Sequence, residues 1–230
     1  LTVLEADEST RYLVLEMGAS GPGHIAYLTD IAPLDAAGVL MIGHAHMGGF
    51  GSIEGVAAAK AEIIAGLRPD GTAILNADDA RAAAMAELAP ARVLTFSARG
   101  RQADLRAENV DLDAAARAAF DLHLPGLAEP RRVQLAVAGV HNVSNALAAA
   151  GLALAAGLEP EVVAERLGSV SIESPHRMDI SELSGDLLLI DDSYNANIDS
   201  MTAALAVLPA LAGGRRRVVV ISEMLELGES

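Results

Sequence analysis

The 230-residue sequence contains no cysteine. That excludes both a disulfide framework and a thiolate zinc site, and it suits a cytoplasmic location. Lysine is nearly absent. Of sixteen basic residues fifteen are arginine, and Lys60 is the single lysine. Basic charge is scarce as a whole, because thirty-one acidic residues leave a formal net charge of −15. A general electrostatic grip on nucleic acid or on an anionic membrane is therefore not expected. An anionic substrate would need a local basic or metal-bearing pocket. Long hydrophobic runs are missing too: "ALAAAGLALAAG" at 146–157 is too short to span a bilayer. No signal peptide, internal repeat or low-complexity tract is visible. No G-x-x-x-x-G-K-[ST] spacing occurs, so the sequence carries no Walker loop.

What is present is apolar. Hydrophobic residues make up 52% of the chain, enough for a sizeable core in one large domain or two smaller ones. Runs at 11–18, 36–44, 71–79 and 91–97 read as buried strands, and 52–67 and 78–89 as helices. This strand–helix alternation predicts an α/β fold with a mostly parallel sheet flanked by helices. Between 102 and 138 the pattern turns to short alternating strands, a small antiparallel β insertion. Helices are expected at 141–157 and 159–170. "ESPHRMD" at 173–179 is polar and contains proline, which places a domain boundary near 175 and gives domains of 1–174 and 175–230. Beyond it come strand, loop, helix and a final strand around "RRRVVVIS". Leu1 opens abruptly and little follows that last strand, so both ends read as cut.

Four apolar runs end on groups with chemistry: Glu16; His44 and His46; Asn76 with Asp78 and Asp79; and Asp191 with Asp192. Ligands of open α/β sheets bind beyond the carboxyl ends of the strands, so these ends are the candidate site. Glu16 and His46 together suit Mg²⁺ or Mn²⁺ better than structural zinc, while His44 can equally pack against the turn. "GGFGS" at 48–52 precedes a helix and could cradle an anion. Lys60 lies mid-helix among alanines. It is either an accident of composition or a site that needs an amine, since a buried lysine can lose its proton and arginine cannot. Asn142 and Asn145 are three apart, on one side of a helical turn. They either serve the helix start, with Asn142 or Ser144 as cap, or read a nucleobase edge. Arg177, in the expected linker, is either solvated or neutralises a phosphate as a cleft closes.

Taken together, "VLEMGAS…GHI", "AHMGGFGSIEGVAAAKAEI", "AILNADD", "GVHNVSNALAA", "DDSYNAN" and "SEMLELGES" resemble the Mur ligase family, over nearly the whole chain and least at 98–138. The resemblance implies the central ATPase domain from just after its phosphate loop, followed by the start of a Rossmann-like ligase domain. Two positions depart from the family pattern, Gly48 after "AHM" and Ser222 before "EMLELG". By resemblance, Glu16, His46 and a carbamylated Lys60 would hold Mg²⁺ or Mn²⁺. His141, Asn142, Asn145 and Asn76 would contact the nucleotide, with Asp192 on the ribose. Arg177 would reach the γ-phosphate, and Tyr194, Asn195 and Asn197 would face substrate.

The implied reaction is ATP-dependent amide formation in peptidoglycan precursor synthesis. It would join D-alanyl-D-alanine to a UDP-N-acetylmuramoyl tripeptide through an acyl phosphate, in the cytoplasm, in a monomer. Without a phosphate loop the 230 residues alone are expected not to use ATP. Three other readings stay open here: another Mur-type or folylpolyglutamate-type ligase, a non-catalytic nucleotide-binding remnant, and a metallohydrolase using Glu16, His44 and His46.

Overall fold

A computed structural model describes residues 2–43, 50–170 and 174–224. Helix α1 (His24–Ile31) leads into strand β1 (Leu34–Val39), and α2 (Ile53–Ala65) carries the chain on to β2 (Leu67–Asn76). Ser52 starts α2 as its N-cap, its hydroxyl accepting from the Gly55 amide at 3.1 Å. The N-terminus of α1 has no side-chain cap of its own. Glu62 of α2 supplies one, accepting from the amides of Gly23 at 2.7 Å and Ala26 at 3.0 Å. A short α3 (Ala80–Ala84) and a 3₁₀ turn (Met85–Leu88) then lead to β3 (Arg92–Ser97).

Strands β4 (Leu105–Leu112), β5 (Arg117–His123) and β6 (Arg131–Ala138) complete a six-stranded sheet in sequence order. The pairs β1–β2, β2–β3 and β3–β4 are parallel, and β4–β5 and β5–β6 antiparallel. This is the expected parallel sheet with an antiparallel extension. β2 is paired on both sides, by β1 and β3, and every residue from Gly71 to Asn76 is buried. Because a strand alternates its faces, Ile74 joins a core with Phe96, Phe120 and Leu147, while its neighbours Ala73 and Leu75 join another with Val56 and Ile64. Helices α4 (His141–Ala155) and α5 (Pro160–Leu167) cover the first face and α2 the second.

The β3–β4 join is short. Only Phe96↔Leu105 and Ser97↔Arg106 pair, so β4 starts where β3 ends and rises beyond it. The next rung down is filled by a side chain. The Asp104 carboxylate accepts from the Thr95 amide and hydroxyl, both at 2.8 Å, standing in for a strand backbone.

After α5 come an antiparallel hairpin, β7 (Asp179–Leu183) and β8 (Leu187–Asp191), and then α6 (Ile198–Ala212). Val207 and Leu211 of α6 pack on Ala116 and Ala138 at the end of the large sheet. No helix among the described residues is long and apolar enough to cross a membrane.

Several local expectations need correction. Residues 11–18 form no regular element and pair with no strand among the described residues, leaving Tyr12, Leu13 and Val14 exposed. Apolar alternation gives capacity for a strand, and a ladder needs a partner to use it. The same holds for 216–221, where Val218, Val220 and Ile221 are exposed. The first sheet strand covers 34–39 rather than 36–44, because side chains occupy the backbone groups that follow it. The helix expected at 78–89 breaks into α3 and the 3₁₀ turn. Asp191 and Asp192 end β8 of the separate hairpin, so they do not share the large sheet's edge.

Candidate functional site

Strands β1, β2 and β3 run parallel, so their carboxyl ends meet at one edge, where such sheets bind ligands. The loop leaving β1 is held there at three consecutive residues. Asn76 Nδ2 donates to the Leu40 carbonyl at 2.7 Å, Lys60 Nζ to the Met41 carbonyl at 3.0 Å, and the Ile42 amide to Asp79 Oδ2 at 2.7 Å. Asp79 is also the N-cap of α3, its Oδ1 accepting from Arg81 and Ala82. One carboxylate therefore orients both a helix and the loop. Asn76 is buried, and its Oδ1 accepts from the Asp78 amide, so both halves of its amide are engaged within the protein. Asp78 accepts from Ser97 Oγ and the Ala98 amide, both at 2.8 Å, and ties the end of β2 to that of β3.

Burial lowers the proton affinity of Lys60, opposed by the nearby Asp79 carboxylate. The lone lysine is thus not a solvated helix residue. Its amine is partly desolvated, anchored on the β1 loop and shifted toward the neutral form. That loop leads straight to His44, His46 and Gly48, which lie outside the described residues. Helix α6 also comes close to it. A Cβ added to Gly43 would lie 2.8 Å from Oδ2 of Asp199 in the first turn of α6.

Glu16 is exposed on the unpaired 11–18 segment. It lines a groove of about 160 Å³ with Leu15, Met17, Leu28 and Ile31. Among the described residues no three His, Asp or Glu side chains converge as a metal cluster. The proposed ligand set includes His46, which lies outside them.

The start of α4 forms a second group. Its N-cap, Val140, makes no side-chain cap, so neither Asn142 nor Ser144 caps the helix. Instead Asn142 Nδ2 reaches back to the Ala138 carbonyl at 2.8 Å, and Asn145 Nδ2 donates to Asn142 Oδ1 at 2.9 Å. Gly139 turns with φ 104°, and a Cβ there would lie 2.5 Å from His141 Cε1. Only glycine lets the imidazole lie over this turn. Burial lowers the His141 pKa, while the Asp192 carboxylate acts against it. Asp192 thus lies within electrostatic reach of the α4 start, although it belongs to the hairpin end.

The third group joins the segment after α5 to the loop after β8. His176 Nδ1 meets Asp191 Oδ2 at 2.7 Å, the Tyr194 amide donates to the His176 carbonyl at 3.0 Å, and the Met178 amide to Asp192 Oδ1 at 3.0 Å. The His176 and Ser193 hydrogen bonds hold the Asp191 pKa down to about 2. His176 and Met178, either side of Arg177, both have left-handed φ, 63° and 48°. The Arg177 guanidinium stacks over the Tyr194 ring, 4.1 Å from its centroid. Arg177 also lines a cavity of about 430 Å³ with Arg117, Ser174 and Asp179, against Ala136–Ala138. Asn195 Oδ1 accepts from the Ala196 amide, and Asn197 is the N-cap of α6 in a capping box with Ser200.

The sequence reading did not anticipate the Asp79 clamp, the Asp199 contact or the ring under Arg177. Asp79 carried a legible signal, a carboxylate just before an alanine-rich helix, which is the composition of a cap.

A model of the Mur ligase middle domain matches residues 1–153, and a model of the Mur ligase glutamate ligase domain matches 176–230. The UDP-N-acetylmuramoyl-tripeptide–D-alanyl-D-alanine ligase of Mycobacterium tuberculosis is 44% identical over 232 residues, covering 99% of this chain and 45% of that protein. The chain thus spans about half the length of the curated relatives it matches. Crystal structure I of MurF from Acinetobacter baumannii superposes with a TM-score of 0.89 at 36% identity, covering 99% of this chain and 48% of that one. MurF ligase from Thermotoga maritima in complex with ADP gives 0.74 at 25%, covering 94% and 48%.

Proposed function

The chain belongs to the Mur ligase family, and we propose that it serves ATP-dependent addition of D-alanyl-D-alanine to a UDP-N-acetylmuramoyl tripeptide. The 44% identity to a curated ligase of that name, across 99% of the chain, carries the reading. In this reading residues 1–174 form most of the central ATPase domain and 175–230 open the ligase domain. The work belongs to cytoplasmic synthesis of peptidoglycan precursors, in a monomer.

The proposed chemistry runs in two steps. The tripeptide's terminal carboxylate attacks the γ-phosphorus of ATP, the bond to the bridging oxygen breaks, and ADP leaves. The amine of D-alanyl-D-alanine then attacks the acyl phosphate carbonyl, a C–N bond forms, and inorganic phosphate departs with the C–O bond electrons. Such phosphoryl transfer is served mainly by positioning and charge neutralisation. Arg177 fits the second task, being a cation on a cavity wall between the two units. His141 and Asn145 fit recognition of the adenine edge and Asp192 the ribose, since they lie together across the same junction, while Asn142, its amide engaged by Ala138 and Asn145, fits orienting Asn145 for that contact. Asn76 fits a supporting role, because its amide is engaged by Leu40 and Asp78.

A divalent cation would supply further charge neutralisation at the phosphates. The donor set fits magnesium: a carboxylate at Glu16, an imidazole at His46 and oxygens at a carbamylated Lys60. Lys60 suits that modification. A neutral amine attacks CO₂ and loses one proton, and the product keeps one N–H. The bond to the Met41 carbonyl can therefore persist while the new carboxylate projects onward.

The test is direct. The full-length protein that contains these residues is incubated with ATP, magnesium, a UDP-N-acetylmuramoyl tripeptide and radiolabelled D-alanyl-D-alanine, since the 230 residues alone are expected not to use ATP. The expected result is a labelled UDP-muramoyl pentapeptide with one ADP and one phosphate formed per bond. Phosphate release without incorporation of label, or no turnover, would sink the reading.

A further inference from the structure

The proposed phosphate-facing arginine raises a problem of competition. Arg177 lies within a strongly acidic stretch, with Asp179, Asp191 and Asp192 nearby in sequence or across the hairpin. An arginine that forms a bidentate pair with a carboxylate spends its N–H edge on that pair. Two of these carboxylates are engaged elsewhere. Asp191 is held by His176 and the Ser193 amide, and Asp192 accepts from the Met178 amide. Arg177 instead has an aromatic face beneath it, with Cζ 4.1 Å from the Tyr194 centroid.

Stacking differs from ion pairing in one decisive way. A ring contacts the flat face of a guanidinium, and all five N–H donors lie in the guanidinium plane. The contact therefore fixes orientation without occupying a donor. The backbone supports the same arrangement. His176 and Met178 both adopt left-handed φ, 63° and 48°, which non-glycine residues seldom do. The Tyr194 amide bonds the His176 carbonyl at 3.0 Å. The residue that supplies the ring and the segment that supplies the arginine are thus fastened together at the backbone, on the wall of the 430 Å³ cavity.

We propose that Tyr194 is a positioning residue for Arg177. Its ring holds the guanidinium by the face and keeps the N–H edge available for an anionic phosphoryl group, while His176 keeps Asp191 from capturing it. This rests on the ligase reading for the identity of the anion. It assigns the tyrosine of "DDSYNAN" a task performed through Arg177 rather than direct contact with substrate.

The experiment compares steady-state ligation by the full-length protein that contains these residues, unaltered and as Tyr194→Leu, Tyr194→Phe, Arg177→Ala and the Arg177→Ala/Tyr194→Leu double variant. Tyr194→Leu is expected to lower kcat about two- to fivefold, the worth of an exposed cation–π contact, with a smaller change in KM for ATP. Tyr194→Phe keeps the ring and restores most of that loss. In the Arg177→Ala background, Tyr194→Leu has no further effect, because the ring then has nothing to hold. An unchanged kcat in Tyr194→Leu, or a loss that adds to that of Arg177→Ala, overturns the proposal. A second readout does not depend on turnover. The Arg177 side-chain NMR resonances should be shifted upfield by the ring in unaltered and Tyr194→Phe protein, and return to ordinary positions in Tyr194→Leu. Resonances unmoved by Tyr194→Leu overturn the stacked arrangement. Absence of ligation by the unaltered full-length protein sinks the ligase reading instead, so the two failures are distinguishable.

Discussion

Replacing Asp79 with alanine tests whether one carboxylate organises the carboxyl edge. Two losses follow. The first is the cap of α3, where Oδ1 accepts from the Arg81 and Ala82 amides, a change worth about 1 kcal/mol. The second is the bond from the Ile42 amide to Oδ2 at 2.7 Å. Ile42 is 7% exposed, so its amide is poorly placed to find water, and an unsatisfied donor costs about 1–3 kcal/mol. The sum is about 2–4 kcal/mol, which in a chain of this size lowers the melting temperature by about 4–16 °C. Asp79→Asn keeps a single acceptor oxygen, can serve only one of the two partners, and should fall between. The assay is urea or thermal unfolding followed by circular dichroism, with hydrogen exchange at the Ile42 amide as the local readout. The same substitution removes the charge that holds the Lys60 proton, so an amine-reactive reagent should label Lys60 faster at mildly alkaline pH. Asp79→Ala within about 0.5 kcal/mol of the unaltered protein, with Ile42 exchange unchanged, would refute the clamp.

Three further outcomes are expected. In the full-length protein that contains these residues, Lys60→Arg should be nearly as inactive in ligation as Lys60→Ala, because guanidinium cannot be carbamylated, and a short carboxylic acid or bicarbonate should restore part of the Lys60→Ala rate; full activity in Lys60→Arg would end the carbamate reading. The folded pKa of Asp191 is depressed to about 2 from 3.8, so its contribution is fully present above 3.8 and is lost as pH falls toward 2. Asp191→Asn should therefore flatten the acid limb of stability against pH, and an acid limb identical to the unaltered protein's would contradict the His176 and Ser193 bonds. Gly139→Ala forces a side chain into φ 104° and against His141, which should cost about 1–3 kcal/mol of stability and weaken nucleotide binding, measured by unfolding and by calorimetry with ADP.

The parallel sheet and its antiparallel extension were legible because periodicity reports burial, and burial dominates the central strands. The segments 11–18 and 216–221 show the limit of that logic. Their apolar pattern says that they could pair, while pairing depends on a neighbour that no local pattern names. The hairpin of β7 and β8 was readable in principle. In "ISELSGDLLLID" two short segments containing apolar residues flank the turn-forming Ser184-Gly185-Asp186, and both Gly185 and Asp186 take positive φ. The polar, proline-bearing stretch before it drew attention to a linker instead. At the edge, sequence identified chemical residues but not how their bonds are distributed. Asp78 and Asp79 read as strand-end groups of the candidate site, and both are engaged in tying strand ends, a helix and a loop together. That distribution is a property of three-dimensional neighbours, which spacing along the chain does not encode.

The narrow seam between β3 and β4 sets a dimension. With two residue pairs and the Asp104 carboxylate as the next rung, the pairing offset alone fixes how far the antiparallel wall stands above the parallel edge. That height can change only in steps. A one-residue slip would turn every side chain of the wall to the opposite face. A slip of two would preserve the faces and displace the wall by about 7 Å. His141 follows the last strand of that wall after two residues, Gly139 and Val140, so such a step would carry the start of α4 with it. The seam therefore acts as a gauge block: an insertion in the 98–104 connection can lengthen the loop freely, but the start of α4 keeps its level as long as Asp104 still reaches Thr95.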